Sequence, residues 1–209
     1  ALVDYVLIED TGSTDGTQAI IRDYLEQSGL PGEVFEHTWR DFAYNRSVAL
    51  AKLRENSAVD YAFIMDADDL LVFEEGFDVA RFKGSLTEDF YTVKVKRATV
   101  EFERGHLVSN RRKFLSRGVL HEVLVGPREG YSSAHASGFH IDYRQEGERS
   151  LDPEKYRKDA KVLEHALLTE KDPWLRSRYV FYLAQSHFGY NAREKALKRY
   201  LERTRMGFW

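Results

Sequence analysis

Cysteine is absent from the 209 residues. This excludes disulfides, thiol catalysis and thiolate metal sites, and leaves oxygen and imidazole as the available metal ligands. It also suits a reducing compartment. No apolar run reaches the roughly 18 residues needed to span a bilayer, and the N-terminus has neither a basic region nor a signal-like apolar core. The expected location is cytoplasmic. Net positive charge is lacking as well: 31 basic against 34 acidic residues give -3, with no global attraction to nucleic acid or an anionic membrane. Any phosphate must therefore be met by a local site. What is present is a folded composition, 43% hydrophobic and 13% aromatic, long enough for one α/β domain with an appendage or for one larger domain.

The apolar pattern divides the chain at about residue 149. "LVDYVLIE" (2–9) is β-branched and almost continuously apolar, as a strand covered on both faces is. "TQAIIRDYLEQSG" follows, with Ile20, Ile21, Tyr24 and Leu25 on one helical face and Gly29 and Pro31 as the stop. The alternation repeats with "GEVFEHTW" as a strand, 41–57 as a helix capped by Asp41, and 60–69 as a buried strand. Alternating β and α predicts a mostly parallel sheet flanked by helices. From about Glu88 the pattern turns antiparallel in character, 89–102 reading as one strand with a wet face. Residues 150–209 predict helices, with Pro153 at a start, Tyr156, Ala160, Leu163 and Leu167 on one face, and Leu183, Ala184, Ala196 and Tyr200 spaced as in a tetratricopeptide hairpin. An ordinary helical hairpin has the same periodicity. Ala1 enters a strand almost at once and "RYLERTRMGFW" stops in an amphipathic helix, so both ends read as cut from something longer.

In an open α/β sheet, ligands sit beyond the carboxyl ends of the strands. Two polar clusters fall there, "DTGSTDGT" (10–17) and "DADD" (66–69). Neither Walker glycines with their lysine nor GxGxxG is present, which argues against a P-loop NTPase and a dinucleotide site. Glycines allow close backbone approach, and carboxylates can hold sugar hydroxyls, a base N–H or a metal. Each cluster also has a structural reading: Ser13 or Asp15 as turn and cap residues, and "DADD" as an acidic helix start. Three carboxylates in four residues repel one another, and a divalent cation or buried partners would relieve that repulsion.

"DTGSTDGT", "FAYNRSVAL" (42–50), "DADD" and "GVLHEVLV" (118–125), in that order, resemble the family 2 glycosyltransferases of GT-A fold. The helical segment after residue 150 is similar to the branch of that family carrying C-terminal tetratricopeptide repeats. The resemblance implies a Rossmann-like mixed α/β domain and a nucleotide-diphosphate sugar donor, expected to be uridine-linked. Asp10 would read the base, with Thr11 and Asp15 shaping the loop, and Arg46 would lie near the nucleotide or its diphosphate. Asp66 and Asp68 match the DxD motif around Mn²⁺ or Mg²⁺, with His140 as a further metal ligand and Asp69 toward donor-sugar hydroxyls. Glu122 would be the base of an inverting transfer, with His121 beside it. Adjacent strand residues point to opposite faces, so both can serve one cleft only if the chain bends there.

The family's earlier first strand has no counterpart here, which leaves part of the nucleotide pocket unaccounted for. A non-catalytic protein-binding module on a degenerate scaffold is the second reading, and a sugar nucleotidyltransferase the third, without its glycine-rich, lysine-containing start. The acceptor, whether glycan, lipid-linked saccharide or protein, is not legible. Arg111, Arg112 and Lys113 read as a solvated basic face more readily than as a phosphate site, and Trp39 as a core residue.

Overall fold

The structure, a computed structural model, describes residues 2–144 and 151–208. The chain forms two compact units. The first takes in the described residues up to Arg40, then Tyr44–Leu115 and Leu124–Arg144; the second takes in Asp41–Ala43, Ser116–Val123 and the described residues after 150. The expected boundary at 149/150 falls outside the described residues.

The first unit is mixed α/β. Strand β1 (Val6–Asp10) runs through helix α1 (Thr17–Ser28) to β2 (Gly32–Glu36), which pairs with it in parallel. A helical crossover is what a parallel pair requires. Helix α1 ends on Gly29, whose left-handed φ of 64° is the usual glycine stop. Its apolar face was expected to be buried, but Ile20 and Tyr24 are 68% and 65% exposed, and α1 has no buried residue.

Helix α2 (Phe42–Arg54) leads to β3 (Tyr61–Phe63), and a turn then delivers β4 (Leu70–Phe73). After the short helix α3 (Val79–Gly84) come β5 (Phe90–Arg97), β6 (Val100–Ser109) and β9 (Ser133–Asp142), giving a five-stranded sheet of order β3-β6-β5-β9-β4. Three of its four ladders are antiparallel; only β5 and β9 run parallel. The expectation of a mostly parallel sheet is corrected here. β-α-β crossovers of neighbouring strands cease after β2: β5 and β6 are joined by a tight turn, which makes them antiparallel, and the β3–β6 and β4–β9 ladders pair segments distant in the chain. The 89–102 stretch is likewise two strands, reversed at Ala98, which takes φ 50°. Nothing in "RATV" marks a turn.

Val93, Val95, Phe139 and Ile141 form the core on one sheet face, with Phe63, Phe77 and Phe82 packed against them. Leu50 of α2 packs on the other face with Ala62, Val108 and Phe114. That second contact fixes α2 beside the end of β3.

In the second unit, helices α4 (Lys155–Thr169), α5 (Pro173–Gly189) and α6 (Arg193–Arg203) pack in succession. Asp172 caps α5 by accepting from the backbone N–H groups of Trp174 and Leu175, with Pro173 at the first helical position. Ala160, Leu163, Leu183, Ala184 and Ala196 are buried, as their spacing predicts. Strands β7 (Leu115–Arg117) and β8 (Val123–Val125) form a two-stranded sheet, and the loop between them lies within the helical unit.

Candidate active site

Asp10 ends β1 and is buried. Its Oδ2 accepts from the backbone N–H groups of Gly12 and Ser13, both at 3.0 Å, and from Gln18 Nε2 at 2.8 Å. The hydrogen bond from Ser13 contributes most to holding its pKa at about 2, with further lowering from Gly12 and Gln18 against the opposing effect of burial. Asp15 is exposed, and its Oδ1 accepts from Thr17 N–H at 3.0 Å and Thr17 Oγ1 at 2.6 Å. Both aspartates thus organise this loop. Gly16, at φ 86°, occupies the helix N-cap without a side-chain bond. Thr11 is exposed.

In "FAYNRS", Asn45 is buried and tethers two segments, donating to Glu9 Oε1 at 2.7 Å and accepting from Arg40 N–H at 2.9 Å. One residue on, Arg46 donates to Asp66 Oδ1. Arg104 Nη2 stands 3.6 Å from the other oxygen of Asp66. Burial pushes Asp66 upward, but Arg46 first and Arg104 after it hold the carboxyl below its usual range.

Arg104 is set in turn by His106. In β6 the register against β5 shifts at this point, Tyr91 facing Leu107 and Thr92 facing Gly105, which leaves His106 as a bulged residue. A side chain at 105 would run into the ring of Phe90, so glycine is needed there. His106 is 1% exposed. Its backbone O accepts from Ile64 N–H at 2.7 Å, its Nδ1 lies 2.6 Å from Ile64 O, and its Nε2 lies 3.0 Å from Arg104 Nε. One ring nitrogen must donate to a carbonyl while the other accepts from a guanidinium, which defines a neutral Nδ1–H imidazole. Burial, aided by Arg104, pushes its pKa down to about 4.

Sequence reasoning missed this pair. Arg and His two apart on a strand share a face, but within "EFERGH" they read as ordinary wet-face residues.

Asp69 contrasts with Asp66. It is 7% exposed, and among the described residues neither carboxylate oxygen has a partner at full hydrogen-bond geometry, the backbone N–H of Arg144 acting on it only as a minor lowering influence. Burial raises its pKa to about 6, and the neighbouring charges of Asp66 and Asp68 raise it further against the opposing effect of Arg104. Asp68 is half-buried between them in the chain. His140 faces Val72 across the β4–β9 ladder and alternates with the core residues Phe139 and Ile141, placing it on the opposite sheet face from them.

Among the described residues no three His, Asp or Glu side chains form a ready-made metal cluster. The donor chemistry at Asp66–Asp69 still fits a hard divalent cation: the oxygens are carboxylates, and both oxygens of Asp69 are buried without a full hydrogen bond among the described residues. Asp66 is the least available of the three because two arginines already hold it.

His121 and Glu122 belong to the helical unit. The bend that both roles require is there: Gly118 has φ 109° and His121 φ 52°. His121 stacks on Tyr182, with ring centroids 3.8 Å apart and planes at 10°. Glu122 follows it, half-buried.

The remaining expectations sort simply. Arg111 pairs with Asp60, and Arg112 donates to Gly130 O at 2.7 Å, so both serve surface contacts. Trp39 is 47% exposed rather than in the core, since it lies in the irregular segment between β2 and α2. A surface recess lined by Tyr5, Leu7, Glu33 and Lys52 contains none of the candidate residues.

Comparison with known proteins agrees with the mixed α/β fold. The family described as Glycosyl transferase family 2 matches residues 2–145. Over 66 residues, 32% of the chain, the sequence is 35% identical to LpsC of Rhizobium meliloti (strain 1021), a lipopolysaccharide core biosynthesis glycosyltransferase. That stretch spans 23% of the relative's own length. The family match covers more than half of the 209 residues and takes in Asp10, Arg46 and the "DADD" turn: the chain belongs to glycosyl transferase family 2.

Proposed function

We propose that the protein moves a sugar from a nucleoside-diphosphate sugar, expected to be a UDP-sugar, to a hydroxyl acceptor with inversion at the anomeric carbon. The observation that carries this reading is the buried carboxylate of Asp69, without a partner at full hydrogen-bond geometry among the described residues, next to an Asp66 fixed by two arginines. A buried carboxylate without partners costs stability unless a ligand supplies them. Sugar hydroxyls are such a ligand.

In this reading the acceptor oxygen bonds to the anomeric carbon as the bond from that carbon to the phosphate oxygen breaks, and the electron pair leaves on the diphosphate. Glu122 takes the acceptor proton, and His121 orients the group beside it. Arg46 and Arg104 offer guanidinium charge to the diphosphate end of the donor, Asp10 lies toward the base, and Asp69 accepts from the sugar. Asp68, with Asp66 and His140 as further candidates, would hold Mn²⁺ or Mg²⁺, whose charge would stabilise the leaving diphosphate.

The relative's printed name supports a saccharide acceptor. Helices α4–α6 are proposed as a tetratricopeptide-like extension open to a protein partner, since Leu168, Leu197 and Leu201 are exposed on them. Cytoplasmic location belongs to the same proposal and draws on the absence of cysteine. No helix among the described residues is long and apolar enough to cross a membrane.

Calorimetric titration of UDP-glucose and GDP-mannose, with and without Mn²⁺, tests the reading on the wild type and on Asp68→Asn. The expected result is UDP-linked binding that Mn²⁺ strengthens and that the substitution weakens by about tenfold or more, about 1.4 kcal/mol. Donor binding that ignores both Mn²⁺ and the substitution would remove the metal role.

A further inference from the structure

We infer that the helical unit sets the conformation of the His121–Glu122 segment, with Tyr182, Arg178 and Tyr179 as its positioning residues. The inference rests on the proposed role of Glu122 and His121 and assigns a task to helices otherwise read only as a partner surface.

The segment has little to hold it by itself. It spans the loop between two three-residue strands, and a two-stranded ribbon alone is marginal in water. It also contains a strained residue, His121 at φ 52°, a conformation that persists only when its surroundings impose it.

Those surroundings are helix α5 and its cap. Arg117 pairs with the cap residue Asp172 at 2.7 Å. The Val119 N–H donates to the Tyr179 hydroxyl at 3.1 Å. Leu120 is buried among Leu163, Leu175, Tyr179 and Leu183. Arg178 donates to His121 O at 2.8 Å, and the His121 ring lies flat on Tyr182.

Arg178 is itself aimed. Its guanidinium stands over the rings of Trp174 at 5.2 Å and Tyr182 at 5.4 Å, so residues 174, 178 and 182 form a ladder of i, i+4 neighbours along one face of α5. Four of the five residues from 117 to 121 are thus tied to α5 or its cap. Glu122 follows directly, so a displacement of the His121 backbone carries into the position of Glu122. Loosening the stack or the Arg178 bond frees that backbone, and small displacements of a reacting group are costly in rate.

The test uses the whole chain. Amide hydrogen exchange over residues 118–123 is measured together with nucleoside diphosphate release from UDP-glucose, UDP-galactose, UDP-N-acetylglucosamine and GDP-mannose in Mn²⁺, with water as acceptor. Tyr182→Ala is expected to speed exchange in this segment and lower kcat, each by about tenfold or more, while donor affinity stays within about twofold. Tyr182→Phe keeps the stack and should restore both. Arg178→Gln removes the bond to His121 O without emptying the core, and should give a smaller change in the same direction; it decides the matter if Tyr182→Ala does not fold.

Unchanged exchange in both Tyr182→Ala and Arg178→Gln would overturn the inference. So would loosened exchange with kcat intact, or a Tyr182→Phe that behaves like alanine. A wild type that turns over none of the donors would count against the proposed function, while the exchange measurements would still decide whether α5 holds the segment.

Discussion

Asp10 and Asp69 are both buried aspartates just beyond strand ends in the same unit, yet their surroundings differ in every respect that matters to a carboxylate. Asp10 accepts from Gly12, Ser13 and Gln18 and has a pKa of about 2. Asp69 has no partner at full hydrogen-bond geometry among the described residues, sits beside Asp66 and Asp68, and has a pKa of about 6. The first has had its hydration replaced by donors from its own loop. The second has lost its hydration without replacement, which a folded protein tolerates only where something else gains from it. The contrast separates the acidic residue that builds the site from the one left open for a ligand, a distinction that residue type alone does not make.

The largest effect expected from breaking this contrast is at Asp10. Its proton is bound more weakly in the folded chain than at the unfolded value of about 3.9, so the stabilisation is present above about pH 4 and lost as pH falls toward 2. Asp10→Ala should cost about 2 kcal/mol at neutral pH, a fall in melting temperature of about 4–8 °C for a chain of this length. Its unfolding midpoint should also lose the drop seen in the wild type between pH 4 and 2. Equal acid sensitivity in variant and wild type would show that Asp10 is not the group responsible.

At Asp69 the sign reverses. Its proton is bound more tightly in the folded chain than in the unfolded one, so this carboxyl favours folding least above about pH 6, and the penalty fades as pH falls from about 6 to 4. Removing the charge with Asp69→Asn should therefore raise stability at pH 7 by about 1 kcal/mol, less than the full shift implies because a buried amide also wants partners. The same variant should bind donor more weakly. Chemical denaturation and donor titration on one preparation check both, and a stability loss at pH 7 would end the reading of Asp69 as a strained, ligand-seeking acid.

The sequence made some of this legible and hid the rest for identifiable reasons. The two polar clusters stood out because they interrupt apolar strands, and their places at the ends of β1 and β3 follow from that pattern. The bend at His121 could be inferred because neighbouring strand residues point apart. The hairpin at Ala98 was invisible, since its turn carries none of the usual Gly, Asn or Asp residues. Arg104 and His106 were hidden for a different reason: their partnership with Asp66 and Ile64 combines a bulge in the β5–β6 hairpin with contacts to a segment about 40 residues away, and local periodicity carries no trace of it. The exposed face of α1 shows the same limit from the other side, because amphipathic spacing states which residues could be buried together and not what covers them.

Asp15 gives the smallest and most discriminating test. It too accepts from its own loop, a backbone N–H at 3.0 Å and a hydroxyl at 2.6 Å, both from Thr17, and these hold its pKa below the usual carboxylate value. It differs from Asp10 in having two bonds from one residue and in being exposed. Water can take over each bond when an exposed carboxylate is removed, whereas the buried Asp10 gathers donors from three residues at once. Asp15 accepts from the first amide of α1, Thr17 N–H, but in an exposed contact where water can replace it. Asp15→Ala should leave the unfolding midpoint and its pH profile unchanged within error, in the same assay that resolves Asp10→Ala. If the two variants lose equal stability, burial does not govern this loop, and the contrast between Asp10 and Asp69 would have to be explained by local charge instead of desolvation.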